Sequence, residues 1–93
     1  MNKEEFKAKA NQTIDEISAK INEMKAKRAS VKEDLKVDYD KAIKELESKK
    51  ADMEVKYADL KDAAEEKWDE AKVAFSAASD SVKEGLNKLK SMF

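Results

Sequence analysis

Neither cysteine nor histidine occurs in this 93-residue chain. Their absence removes the thiolate nucleophile, the disulfide, the usual general base near neutral pH and the common zinc and di-iron ligand sets. An enzyme, a metal centre, a bound cofactor and a small-molecule substrate are therefore not expected, and redox state says nothing of compartment. Proline is also absent, glycine is confined to Gly85, and aromatics make up only 6% of the chain. Long apolar runs are missing too. Nowhere do the roughly 18 consecutive apolar residues of a membrane span occur, and Met1-Asn2-Lys3-Glu4-Glu5-Phe6 has no signal-peptide character. A soluble, cytoplasmic protein is the expectation. Finally, 20 basic and 21 acidic residues cancel to a net charge of −1, which takes away the simplest electrostatic reason to bind nucleic acid or an anionic surface.

What is present is charge and periodicity. Charged residues make up 44% of the chain, too many for an ordinary globular core but in keeping with a long helix or coiled coil. Disorder, the competing class for such a composition, normally goes with high net charge and no periodic apolar positions. Here the periodicity is regular. Phe6, Ala10, Ile14, Ile17, Ile21 and Met24 form a first stripe that runs on to Arg28, with heptad-like spacing from Ile14. Val31, Leu35, Tyr39, Ala42, Leu46, Met53, Tyr57, Leu60, Ala64, Trp68, Ala71 and Phe75 continue it, interrupted only by Lys50. Residues three and four apart share one helix face, so this is the buried side of an amphipathic helix. The steps after Val31 average about 3.67 residues, near the eleven-residue repeat that needs little supercoil. Ile43 and Val55 lie beside the seam and widen it toward more than one neighbouring helix.

Three places could interrupt the helix. Ser30-Val31-Lys32-Glu33 has the spacing of a capping box, but no Gly, Pro or Asn stands there and the stripe keeps its phase, which favours continuity over a break. Lys49-Lys50 reads as a polar seam position, with a hairpin tip as its alternative. Ser76-Ala77-Ala78-Ser79-Asp80-Ser81 is the best turn candidate, followed by a second box, Ser81-Val82-Lys83-Glu84. Gly85 weakens the segment after it by about 1 kcal/mol relative to alanine, and Leu86, Leu89 and Phe93, with Val82 before them and Met92 alongside, make a short last stripe. Acid-before-base pairs four apart, Glu16 with Lys20, Glu23 with Lys27, Asp40 with Lys44, Glu45 with Lys49 and Asp52 with Lys56, support the helix from its polar face.

Two charged clusters are the candidate sites. Asp59, Asp62, Glu66 and Asp69 share roughly one helix face beside Glu65 and Glu70, yet a helix sets carboxylates in a column and the glycine turn of a calcium loop is missing. Lys25, Lys27, Arg28, Lys32 and Lys36 are interleaved with Glu23, Glu33 and Asp34 and have no aromatic beside them to stack on bases. Both read as solvated surface. Tyr39, Tyr57, Trp68 and Phe75 fall on the seam and read as packing anchors, while Phe6 and Phe93 are placed to cap the ends of a bundle. Amphipathic eleven-residue repeats also describe helices on lipid, and the bulky apolar residues of Val73 to Phe93 keep a lipid surface open as an alternative partner.

Leu60-Lys61-Asp62-Ala63-Ala64-Glu65-Glu66-Lys67-Trp68-Asp69-Glu70-Ala71-Lys72 resembles a family of small bacterial coiled-coil stress-response proteins. That family has a Leu-Lys-x-Ala step, a small pair such as Ser-Gly, and then a tryptophan followed by acids. Leu60, Lys61, Ala63 and Trp68 match this order; Ala64-Glu65 replaces the small pair and favours a continuous helix. The resemblance implies an all-helical, stress-related protein and carries over no catalytic residue.

The combined expectation is a single all-α domain: one long helix over 3–75, with a break near 28–30 as the alternative, and a short C-terminal helix over 81–92. Its apolar side forms a coiled coil or bundle with other copies of the chain. The interface residues are Ile14, Ile17, Ile21, Met24, Val31, Leu35, Tyr39, Leu46, Met53, Tyr57, Leu60, Trp68, Phe75, Leu86 and Leu89. The alternative architecture is an intrachain antiparallel bundle of three helices, folded back at Ser30 and near Ser76.

Overall fold

The apolar stripe is divided, in a computed structural model that describes residues 2–92, among three α-helices: α1 (Lys3–Ala26), α2 (Lys36–Asp62) and α3 (Trp68–Met92). A single helix over 3–75 would be about 110 Å long at ~1.5 Å per residue. The molecule measures 51 × 18 × 17 Å, so that expectation is corrected. The chain turns at 27–35 and again at 63–67, through short 3-10 segments Lys27–Ser30, Glu33–Leu35 and Glu65–Lys67. The fold is an all-α helical bundle. Cross-helix contacts give the directions: Lys25 of α1 reaches Glu47 of α2, while Phe6 at the start of α1 meets Trp68 and Phe75 in the first part of α3. The helices therefore run up, down and up.

Burial explains why a sequence without breakers turns. A lone amphipathic helix leaves its apolar stripe in water, whereas folding back removes that stripe from solvent at about 25 cal/mol per Å². At the first turn Val31 (φ −78°, ψ 140°) and Lys32 (φ −58°, ψ 141°) leave helical geometry. At the second, Ala63 (φ −64°, ψ 131°) and Ala64 (φ −68°, ψ 160°) do so. No described residue has a positive φ, so neither turn needed glycine. The second turn falls on the tetrad where Ala64-Glu65 had favoured continuity.

Neither capping box works as one. At the first turn neither Lys32 nor Leu35, the cap positions before Glu33 and Lys36, makes a side-chain capping bond, and Ser81 lies inside α3. The serine-rich stretch 76–81 is likewise helical, so the short helix expected over 81–92 is the second half of a longer one. Small residues there serve packing: Ala78 and Ser79 are buried. The effective N-cap, not anticipated, is Asn2, whose Oδ1 accepts from the Glu5 amide at 2.8 Å while its Nδ2 donates to Glu5 Oε1 at 3.0 Å.

Gly85 has a structural reason to be glycine. A Cβ at this position would lie 2.7 Å from Leu46 Cδ2, so α2 and α3 approach closely there. Gly85→Val is expected to lower stability by about 1–3 kcal/mol through overpacking, measured as a lower denaturation midpoint. A neutral result would mean that Leu46 has room to move. The expected positions of Phe93 and of the Met92 side chain lie outside the described residues.

Candidate functional site

The seam residues converge on one surface, and that surface is the core. Ile14, Ile17, Ile21 and Met24 of α1, Tyr39, Leu46, Met53 and Leu60 of α2, and Phe75, Leu86 and Leu89 of α3 are all buried. Val31, Tyr57 and Trp68 pack against them half-buried, and Leu35 lines a recess with Val31 and Tyr39 at the first turn. The same core also takes Ala10, Ile43, Ala78 and Val82. Ala78 joins Val82 in continuing the spacing from Phe75 to Leu86, a signal that the serines around Ala78 masked. Val55 does not widen the seam: it is 56% exposed, as Val37 and Val73 also are at 64% and 67%.

At one end Phe6 is the hub of an aromatic cluster. Its ring meets Trp68 edge-on at 5.8 Å and Phe75 at 6.3 Å, and Tyr57 lies 6.2 Å from Phe75. The Lys3 and Lys7 ammonium groups stand 5.5 and 6.0 Å from the Trp68 ring, and Lys3 pairs with Glu65. Edge-to-face pairs of this kind add about 0.5–1.5 kcal/mol beyond area burial. This cluster pins the start of α1 to the turn between α2 and α3.

At the other end, two contacts lock the first turn. The buried Tyr39 hydroxyl donates to the Met24 carbonyl, an acceptor in the last turn of α1 where helical partners run out; burial pushes the Tyr39 pKa up. Tyr39→Phe is expected to cost about 0.5–1.5 kcal/mol with the fold retained, read from chemical denaturation. Arg28 was expected on the stripe but is exposed, and its guanidinium grips Asp40 with Nε to Oδ1 at 2.6 Å and Nη2 to Oδ2 at 2.9 Å. The hydrogen bonds from Arg28, more than its charge at a distance, hold the Asp40 carboxyl below its ordinary value. A lowered folded-state pKa contributes stability above the unfolded aspartate value of about 3.9 and loses it as pH falls through the folded value. The gap in thermal midpoint between wild type and Asp40→Asn is therefore expected to be present at about pH 7 and to shrink as pH falls below the unfolded value and through the lowered folded one. A gap that stays constant would detach the pair from acid sensitivity.

Several of the other charged residues pair along the surface. Glu23 with Lys27, Glu45 with Lys49 and Asp52 with Lys56 close as pairs at 3.4, 3.5 and 3.8 Å, whereas Asp40 turns to Arg28. Lys50, the interruption of the seam, is half-buried and pairs with Glu54 at 3.5 Å. In the basic concentration Lys25 pairs with Glu47 at 2.9 Å and Lys36 with Glu33 at 3.0 Å, so part of its charge is met by the chain's own acids. The carboxylate column is split by the second turn: Asp59 and Asp62 end α2, while Glu66 and Asp69 flank the start of α3. Among the described residues no group of three or more carboxylates is arranged to hold a metal ion.

No family model matches the chain, and no curated protein or solved structure matches it. No described helix is long and apolar enough to cross a membrane.

Proposed function

We propose that this is a non-catalytic helical interaction protein whose seam works by helix–helix association, closed within one chain as an antiparallel three-helix bundle and open to exchange with a second copy. The observation that supports it is the gathering of the seam residues from all three helices into one core, which leaves a charged surface. The stress-related role implied by the resemblance of Leu60 to Lys72 forms part of the same proposal. Sedimentation equilibrium from micromolar to millimolar concentration tests it. A mass rising from monomer toward dimer is expected, and a strict monomer throughout would remove self-association.

A second reading, binding at a lipid surface, is favoured by one feature. The recess beside the first turn, about 710 Å³ in volume, has an apolar lining of Met24, Val31, Leu35, Tyr39 and Leu89 with Lys27, Lys32 and Lys90 around it. Basic residues around apolar ones suit an anionic headgroup. Co-sedimentation with anionic but not neutral vesicles would support this reading, and no binding to either would end it.

A further inference from the structure

The two turns are held by different contacts. The first is locked by the Tyr39 hydroxyl on the Met24 carbonyl and by the doubly bonded Arg28–Asp40 pair. The second is held from α1, by Phe6 against Trp68 and Lys3 against Glu65, contacts that the α1 of a second copy can supply equally. The end of α2 is closed by a single long bond, from the Ala63 amide to the Leu60 carbonyl at 3.4 Å; the Lys67 amide donates to the Ala64 carbonyl at 2.9 Å, and Ala64, at the cap position, makes no side-chain capping bond. Its two non-helical residues are both alanine, the best helix former, and both already have helical φ values, −64° and −68°. Only their ψ angles, 131° and 160°, separate the turn from a helix near −42°.

Straightening those two residues would join α2 and α3 into one helix over 36–92. Its apolar stripe stays in phase through Met53, Tyr57, Leu60, Ala64, Trp68, Ala71 and Phe75, because these positions remain three or four apart. The carbonyls at the end of α2 and the amides at the start of α3 then gain the helical partners they lack in the turn. One straightened chain exposes its stripe, so a second copy is needed to cover it. We infer that Ala63–Ala64 is a hinge through which two copies exchange α3, each α3 packing on the α1 and α2 of the other. Such an exchange reuses the contacts of the closed bundle, including those of Phe6 with Trp68 and Phe75, between chains. Local helix preference at the hinge favours the open form, and the entropy of association favours the closed one, so concentration decides between them.

This inference rests on the self-association proposed above. Its test measures mass together with an intrachain distance, which the absence of cysteine makes simple. Lys41 and Lys88 are exposed and line the same groove between α2 and α3. Spin labels on Lys41→Cys and Lys88→Cys, in chains diluted with excess unlabelled protein, read the geometry within one chain. In the closed form the labels are neighbours across that groove; in the open form they stand about 70 Å apart at ~1.5 Å per residue. The expected result is a dimer fraction that grows with concentration and carries the long distance. Ala64→Pro should abolish it: proline accepts the φ of Ala64, the extended Ala63 suits a residue before proline, and the ring forbids the continuous helix. The double variant Ala63→Gly/Ala64→Gly, which disfavours helix without imposing the turn, should reduce the dimer as well. A dimer with only the short distance would overturn the hinge and leave self-association standing. Absence of any dimer would overturn both, and a long-distance dimer that persists in Ala64→Pro would overturn the hinge.

Discussion

Leu60→Asp is expected to unfold the chain at 25 °C, seen as loss of the helical circular dichroism signal and of the cooperative denaturation transition. Leu60 is 0% exposed, near the end of α2. Removing a buried leucine side chain costs about 2–5 kcal/mol, and a carboxylate in its place adds a desolvation penalty of several kcal/mol or must take up a proton. A small domain has a total stability on the order of 5 kcal/mol, so the sum exceeds what is available. The matched control is Val55→Asp on the same helix. Val55 is 56% exposed, and this substitution is expected to leave the transition in place. Equal effects at the two positions would mean that α2 is rotated relative to its neighbours. Because the proposed exchange buries the same stripe between copies, Leu60→Asp should also remove any dimer.

Phe75→Ala is expected to cost about 3–5 kcal/mol, the range for emptying a buried aromatic site. Phe75 is 4% exposed and joins Phe6 to Tyr57, so its loss removes core area and two ring contacts at once. Phe6 also packs on Trp68, and with one of its two aromatic neighbours gone the emission of Trp68 should move to the red, giving a second readout. Val73 is two residues earlier on α3 and 67% exposed; Val73→Ala is expected to stay within about 0.5 kcal/mol. A small loss at Phe75 would show that the aromatic cluster contributes little to holding α1 against α3.

The elements of this fold were written plainly in the chain, and its turns were not. Periodic positions such as Ile14, Ile17, Ile21, Tyr39, Leu46, Met53 and Leu60 are all in the core, because a stripe at helical spacing has to be buried against something. The stripe does not say against what. A seam that keeps its phase through Arg28 to Val31 and through Leu60 to Trp68 fits one long helix as well as three short ones. The residues at the second turn are alanines that favour helix, so folding back is decided by tertiary burial overriding local preference. Conversely, the serines of 76–81 carried a turn signal that packing overrode, and Ser79 ended up buried in α3. Gly85 was legible as a weak point in a helix, but its role at the approach of Leu46 depends on a neighbour 39 positions away and only geometry supplies it. The Arg28–Asp40 pair was hidden for the same reason, since Arg28 stands on the stripe and Asp40 was assigned to Lys44.

The most direct measurement of the closed bundle is small-angle X-ray scattering at low protein concentration, where a monomer dominates. Three helices folded side by side have a Cα radius of gyration of 15.1 Å and a long axis of 51 Å. A compact scattering profile with a radius slightly above that value, allowing for side chains and hydration, is the expected result. A rod-like profile with a maximum dimension near the ~110 Å of an unbroken helix over 3–75 would contradict it.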